Sequence, residues 1–127
     1  MGKKMSLSFG LISTVYIALI FVLAGLPGRV RLIRMFNPLS LLHIPLYGLL
    51  TFFLIRTFWS NAKNPFIHSY RLTLAFTTFL ALLVAVLDEI NQIRIPGRGA
   101  SGWDVVLDAI GIAGIAIFYQ SVVKYRK

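Results

Sequence analysis

The sequence predicts an all-α membrane protein, a single domain in which four transmembrane helices form an up-down antiparallel bundle. Hydrophobic residues make up 57% of the 127 residues and charged residues only 13%, a balance that lies outside the range of soluble domains. The apolar residues fall into four runs close to the roughly 20 residues that a helix needs to cross a bilayer. Short joins separate these runs, so consecutive helices are expected to run in opposite directions.

The apolar runs also set the expected helix boundaries. Pro45 is tolerated in a helix only within its first turn, which places His43 just before the second helix. Residues 91–102 contain Pro96 and Gly97 and predict a tight loop before the fourth helix. The fourth run contains small residues that let neighbouring helices approach closely, namely Ala109, Gly111, Ala113 and Gly114. The four predicted helices cover about residues 9–26, 39–59, 70–90 and 103–122.

The net charge of +9 indicates membrane anchoring rather than nucleic-acid binding, because the basic residues lie at the ends of the apolar runs. Four crossings place both termini on one side of the membrane. That side carries eight basic residues, Lys3, Lys4, Arg56, Lys63, Arg71, Lys124, Arg126 and Lys127. The other side carries five, Arg29, Arg31, Arg34, Arg94 and Arg98. The excess of positive charge favours termini in the cytoplasm and a location in the plasma (inner) membrane.

The segment from Leu87 to Asp108 contains every acidic residue of the chain: Asp88, Glu89, Asp104 and Asp108. In the predicted topology the start of the second helix, the end of the third and the start of the fourth reach the same face of the membrane. Polar residues at this level are predicted to form a site at the extracytoplasmic interface. They are His43, Tyr47, Asp88, Glu89, Gln92, Arg98, Asp104 and Asp108.

Two interpretations of these residues remain open. Arg94 and Arg98 could pair with the acids and hold the loop, since charges near the interface cost less than charges at a helix centre. Alternatively, charged groups in a membrane helix mark a functional site by default. A site could bind an anionic headgroup through Arg98 and the arginines of the first join, with the acids and amides contacting the polar remainder. Those arginines of the first join are Arg29, Arg31 and Arg34.

Other chemistries have less support in the sequence. His43 with Asp88 or Glu89 could act as general acid and base on an ester or phosphoester, but no activated serine or cysteine motif accompanies them. Paired carboxylates with a histidine could hold a divalent cation, but Asp88-Glu89 lacks a defined ligand spacing. We expect neither a metal nor a cofactor. Proton-coupled transport would need a carboxylate deeper in the membrane, and Asp108 is the candidate.

The same residues resemble the VanZ-like membrane proteins. The resemblance is carried by His43 with Tyr47, by Asp88-Glu89-x-x-Gln92, by Pro96-Gly97-Arg98, and by Asp104 with Gly111. The chain departs from the family pattern at two positions. It has Asp108 where the family usually has asparagine, and its second glycine of the fourth helix is Gly114, whereas the family pattern expects this glycine near Ile115. The resemblance implies a protein of the cell envelope, because VanZ-like proteins are associated with the envelope and with glycopeptide (teicoplanin) resistance.

We therefore expect a binding protein of the cell envelope whose partner is a membrane lipid or another lipophilic amphiphile. Two alternatives stay open: a hydrolase or transferase acting on a lipid-linked substrate, and a scaffold subunit that uses the small residues of the fourth helix as its contact. The sequence also leaves homo-oligomerisation open.

Overall fold

The computed structural model describes residues 3–26, 38–59, 69–97 and 101–125, and every regular element in them is helical. Four α-helices follow one another along the chain. They are α1 (Lys3–Ala24), α2 (His43–Trp59), α3 (Tyr70–Ile93) and α4 (Gly102–Tyr125), with a short 3-10 helix (Pro38–Leu42) directly before α2. The predicted all-α class with four helices is confirmed.

Each helix contains a segment long and apolar enough to cross a membrane: Leu7–Ala24, Ser40–Trp59, Tyr70–Ile93 and Gly102–Val122. Many large apolar side chains on these segments are exposed, such as Leu11 on α1, Phe79 on α3 and Ile117 on α4. An apolar outer surface of this kind is costly in water and suits a hydrocarbon environment.

Several helix ends differ from the sequence prediction. Helix α1 begins at Lys3 rather than near residue 9, because the basic and polar residues at its start are compatible with a helix that emerges from the apolar region. Helix α3 continues to Ile93 rather than ending near residue 90. Four residues after this end the backbone turns at Gly97, whose φ of 82° favours glycine. The loop before α4 is therefore shorter than predicted.

The entry into α2 follows from the proline in its first turn. Pro45 has no amide hydrogen and its ring excludes the carbonyl four residues earlier, so an α-helical turn cannot continue upstream of it. The chain instead adopts a 3-10 helix up to Leu42, and His43 is the first residue of α2. His43 therefore lies on α2 itself, whereas the sequence placed it just before the helix.

Helix α2 is the central element, because its contacts with the other three helices are the most extensive, whereas α1 and α4 do not touch each other among the described residues. The apolar core lies around Tyr47, Leu50 and Leu54 of α2, with Val84 of α3 and Ile112 of α4. Helices α2 and α4 approach each other closely at Gly111: a Cβ placed on this residue would lie 2.1 Å from the carbonyl oxygen of Ile44.

The small residues of α4 divide between two environments. Gly111 is buried against α2, whereas Ala113 and Gly114 are exposed. A Cβ on Gly114 would meet nothing within 4 Å. Gly111 therefore makes the close contact between helices. Ala113 and Gly114 were expected to make such contacts too, but they do not contact another helix closely within the described part of the chain.

Candidate functional site

Seven polar side chains from three helices converge at one end of the bundle, and we call them the polar cluster. The start of α2, the end of α3 and the start of α4 meet there. The members are His43, Tyr47, Asp88, Glu89, Gln92, Asp104 and Asp108. Six of them are at most 9% exposed, and the side chain of His43 is 18% exposed. Among these members, the imidazole is therefore the most accessible group.

A pair of ionisable side chains joins α2 to α4. The Nδ1 atom of His43 lies 2.8 Å from an Oδ1 oxygen of Asp108, a carboxylate that is only 1% exposed. Gly111, three residues further along α4, makes this distance possible because its lack of a side chain lets α4 approach the backbone of Ile44.

A second set of hydrogen bonds joins α2 to α3 through Asp88. The hydroxyl of Tyr47 donates to the Oδ2 atom of Asp88 over 3.2 Å, and the amide of Gln92 donates to the same oxygen over 3.2 Å. Asp88 and Gln92 are one turn apart on the same helix face. Tyr47 is fully buried and also stacks on His43, with 6.2 Å between the ring centroids. Tyr47 thus links the carboxylate of α3 to the imidazole of α2.

The remaining two carboxylates lie where α3 and α4 meet. Glu89 accepts a hydrogen bond from the backbone N–H of Ser101, the residue before α4. The side chain of Ser101 in turn accepts from the N–H of Trp103 over 3.2 Å, as a residue preceding a helix commonly does. Asp104 lies in the first turn of α4, where a negative charge is favourable at the positive end of the helix dipole.

The cluster concentrates four carboxyl groups in a poorly hydrated environment. Asp88, Asp104 and Asp108 all interact electrostatically with His43, and Asp88 and Asp104 also interact with Glu89. Removing an ionised carboxylate from water costs roughly several kcal/mol per ion unless hydrogen-bonding or charged partners replace the lost hydration. Hydrogen bonds from Tyr47, Gln92 and Ser101 supply part of that replacement. The arrangement can accept hydrogen bonds from hydroxyl or amino groups and can bind or transfer a proton at the imidazole.

A metal site does not emerge from this geometry. In the described ranges, no three histidine, aspartate or glutamate side chains are arranged to hold a metal ion. The carboxylates contact different groups rather than one shared centre: Asp108 contacts His43, whereas Asp88 contacts Tyr47 and Gln92.

The predicted site residues divide into two groups. Seven are brought together in the polar cluster, whereas Arg29, Arg31, Arg34 and Arg98 lie outside the described residues. Arg94, the other arginine proposed as a partner of the acids, is exposed at the end of α3, and no ion pair between it and a carboxylate is described.

Sequence reasoning missed Ser101, whose backbone N–H binds Glu89. Its signal was present, because a serine just before an apolar helix typically precedes the first turn. The sequence also did not show that the backbone of Ile44 and Gly48 provides the surface on which Gly111 rests.

Comparison with known proteins adds no relative: no protein-family model matches the chain, and neither a curated protein nor a solved structure shows significant similarity to it. The geometry of the polar cluster and the sequence motifs therefore carry the functional conclusion.

Proposed function

We propose that the chain is a VanZ-like integral protein of the cell membrane, an up-down antiparallel bundle with both termini in the cytoplasm. Contacts between consecutive helices support the antiparallel order. Arg56, near the end of α2, lies over the ring of Phe9 near the start of α1. Glu89, near the end of α3, binds Ser101 before the start of α4. The excess of basic residues on the side of the termini supports the orientation, which puts the polar cluster at the extracytoplasmic interface.

We further propose that the polar cluster binds the headgroup of a membrane amphiphile, such as a cell-envelope lipid or a lipophilic glycopeptide. The observation that carries this proposal is the burial of all four acidic side chains of the chain at one end of an apolar bundle. Well-packed apolar residues usually stabilise a protein interior at least as well as buried charges do. Buried carboxylates in a membrane protein therefore indicate function more than stability.

The arrangement suggests how the headgroup is recognised. Asp108 holds Nδ1 of His43, so Nε2 is the ring nitrogen with which the partly exposed imidazole contacts a ligand. The carboxylates of Glu89 and Asp104 accept hydrogen bonds from hydroxyl or amino groups of the headgroup. A phosphate or carboxylate on the same ligand would pair with the arginines that the sequence assigns to this side, Arg29, Arg31, Arg34 and Arg98.

Photo-crosslinking tests this proposal. A lipid with a photoreactive group in its headgroup, incorporated into vesicles with the purified protein, should label peptides that contain His43 or Asp104. His43→Gln should reduce the labelling, whereas Arg56→Gln, at the other end of α2, should not. Labelling confined to peptides away from the polar cluster would contradict the assignment.

A second candidate function, a hydrolase or transferase acting on a lipid-linked substrate, is favoured by the pair of His43 and Asp108. An imidazole whose Nδ1 is held by a carboxylate is oriented to act as a general base at Nε2. In that reaction His43 takes a proton from the attacking water or hydroxyl and returns it to the leaving oxygen. Glu89 and Asp88, proposed from the sequence as the base, bind Ser101, Tyr47 and Gln92 instead.

Turnover of a radiolabelled lipid-linked phosphoester or ester by the purified protein decides between the two functions. An enzyme would lose turnover in His43→Gln and in Asp108→Ala, with a smaller loss in Glu89→Gln. A binding protein would show no turnover across a broad lipid panel while retaining the crosslinks to the polar cluster.

A further inference from the structure

An open groove lies at the other end of α3 and α4, far from the polar cluster. It has a volume of about 350 Å³ and runs between the start of α3 and the last turns of α4. Leu74, Ala75 and Ala116 form its apolar part, and Tyr70, Arg71 and Gln120 line the part nearer the helix ends. The groove therefore combines an apolar floor with a polar end.

The polar end of the groove carries an uncompensated positive charge. Arg71 is exposed, and every aspartate and glutamate of the chain lies at residue 88 or beyond. Asp88 is on the same helix, about 25 Å away at the rise of an α-helix. No acidic side chain of the chain is therefore close enough to neutralise Arg71, and an anion from outside would complement it.

A hydrogen-bond donor at the same end also lacks a partner. The hydroxyl of Tyr70 is buried and has no hydrogen-bond partner among the described residues, and such a group is costly in a poorly hydrated place. The amide of Gln120, exposed on α4, is a further donor. A guanidinium, a hydroxyl and an amide beside an apolar groove match a phosphate that is joined to an acyl chain.

We propose that this groove binds an anionic phospholipid in the leaflet on the side of the termini. The acyl chain lies on Leu74, Ala75 and Ala116, and the phosphate pairs with Arg71 while Tyr70 and Gln120 donate hydrogen bonds to it. The site is separate from the polar cluster and rests only on the insertion of the helices in the membrane.

Tryptophan fluorescence offers a local measurement of this binding. The indole of Trp59 packs edge-on against the ring of Tyr70, with 5.0 Å between centroids, whereas Trp103 lies at the other end of α4. The chain has two tryptophans, so Trp103→Phe leaves Trp59 as the only emitter. In vesicles, phosphatidylglycerol brominated on one acyl chain should associate with the Trp59 site roughly fivefold more strongly than brominated phosphatidylcholine.

Two pairs of variants in the Trp103→Phe background separate the groove from general charge attraction. Arg71→Gln should lower the preference, which is the association of the brominated anionic lipid relative to brominated phosphatidylcholine, to about one. Arg94→Gln removes the same charge at the other end of α3 and should preserve this preference. Ala116→Leu should fill the groove and weaken quenching by the anionic lipid, while Ala113→Leu on the exposed face of α4 should not.

Three results would overturn the proposal. A preference near one in the parent protein would exclude a selective site, and equal losses in Arg71→Gln and Arg94→Gln would reduce the preference to general charge attraction. Absence of quenching by both lipids would show that Trp59 does not face lipid, and would contradict membrane insertion as well. The first two results leave the proposed function of the polar cluster untouched.

Discussion

The two ends of the bundle are held together by different forces. At the end that holds the polar cluster, buried side chains of α2, α3 and α4 pair through hydrogen bonds, as His43 does with Asp108. At the opposite end, aromatic rings make prominent contacts between helices: Trp59 packs on Tyr70, and Phe58 on Phe76 with 5.1 Å between centroids.

This difference indicates which end is specialised. Edge-to-face aromatic contacts contribute about 0.5–1.5 kcal/mol each beyond the burial of their area and do not require a charged group to be buried. Paired carboxylates offer no comparable advantage in stability. An end that is built from charges is therefore expected to be less tolerant of substitution and more closely connected with function than an end that is built from rings.

The largest effect is expected where α4 touches the backbone of α2. In Gly111→Leu the new Cβ would lie 2.1 Å from the carbonyl oxygen of Ile44, and backbone atoms cannot yield as a flexible side chain can. We expect a loss of stability at or above the usual overpacking cost of about 1–3 kcal/mol. Membrane accumulation and thermal unfolding in mild detergent measure it.

Gly114→Leu is the matched control, because it adds the same side chain to the same helix where nothing lies within 4 Å. This variant should accumulate like the parent. Equal accumulation of the two leucine variants would contradict the close packing of α2 and α4 at the polar end.

The next effect concerns the ion pair between α2 and α4. Asp108→Ala removes the partner of His43 and should destabilise the protein by about 3 kcal/mol, the lower part of the range for breaking a buried pair, because the imidazole is partly exposed. Asp108→Asn keeps an oxygen that accepts from Nδ1 and should lose less. Unfolding in detergent as a function of denaturant measures both.

A double-mutant cycle with His43→Gln shows whether the loss comes from this pair. The coupling energy should reach about 1.5–3 kcal/mol, the value of a hydrogen bond to a charged group. Simple additivity of the two substitutions would show that Asp108 acts independently of His43.

A smaller effect on stability is expected when either of two tyrosine hydroxyl groups is removed, and comparing the two variants separates a loss of stability from a loss of headgroup binding. The hydroxyl of Tyr47 donates to Asp88 over 3.2 Å, and that of Tyr16 donates to the carbonyl oxygen of Leu46 over 3.1 Å. Tyr47→Phe and Tyr16→Phe should each lower the free energy of unfolding by about 1 kcal/mol. Only Tyr47→Phe should also reduce headgroup crosslinking, because only Tyr47 belongs to the polar cluster. Identical crosslinking in the two variants would remove Tyr47 from the site.

The smallest effect is expected toward the opposite end, where hydroxyl groups join α1 to α2. The Oγ atom of Ser13 lies 3.1 Å from Oγ1 of Thr57 and also donates to the carbonyl of Phe9. Ser13→Ala should cost about 0.6 kcal/mol, the average for polar contacts between membrane helices, and should leave crosslinking unchanged. A loss as large as that of Asp108→Ala would erase the contrast between the two ends.

Much of the candidate site follows from the order of the apolar runs. Once four helices with short joins are predicted, the start of the second, the end of the third and the start of the fourth must lie at one level. This reasoning selected His43, Asp88 and Asp104 without any knowledge of side-chain contacts. It did not show which acid faces the histidine, because that choice depends on how each helix is rotated about its own axis.

The amino-acid sequence by itself determined the number of helices, their apolar lengths and the segment in which all acidic residues lie. These properties are local, since hydrophobicity accumulates residue by residue along a run. Only the tertiary structure decided that Asp108 rather than Glu89 pairs with His43, and that Ser101 binds Glu89. The physical reason is the contact of Gly111 with the backbone of α2, which sets the spacing and rotation of α4. Hydrogen bonds in a poorly hydrated interior depend on such positions to within a few tenths of an ångström.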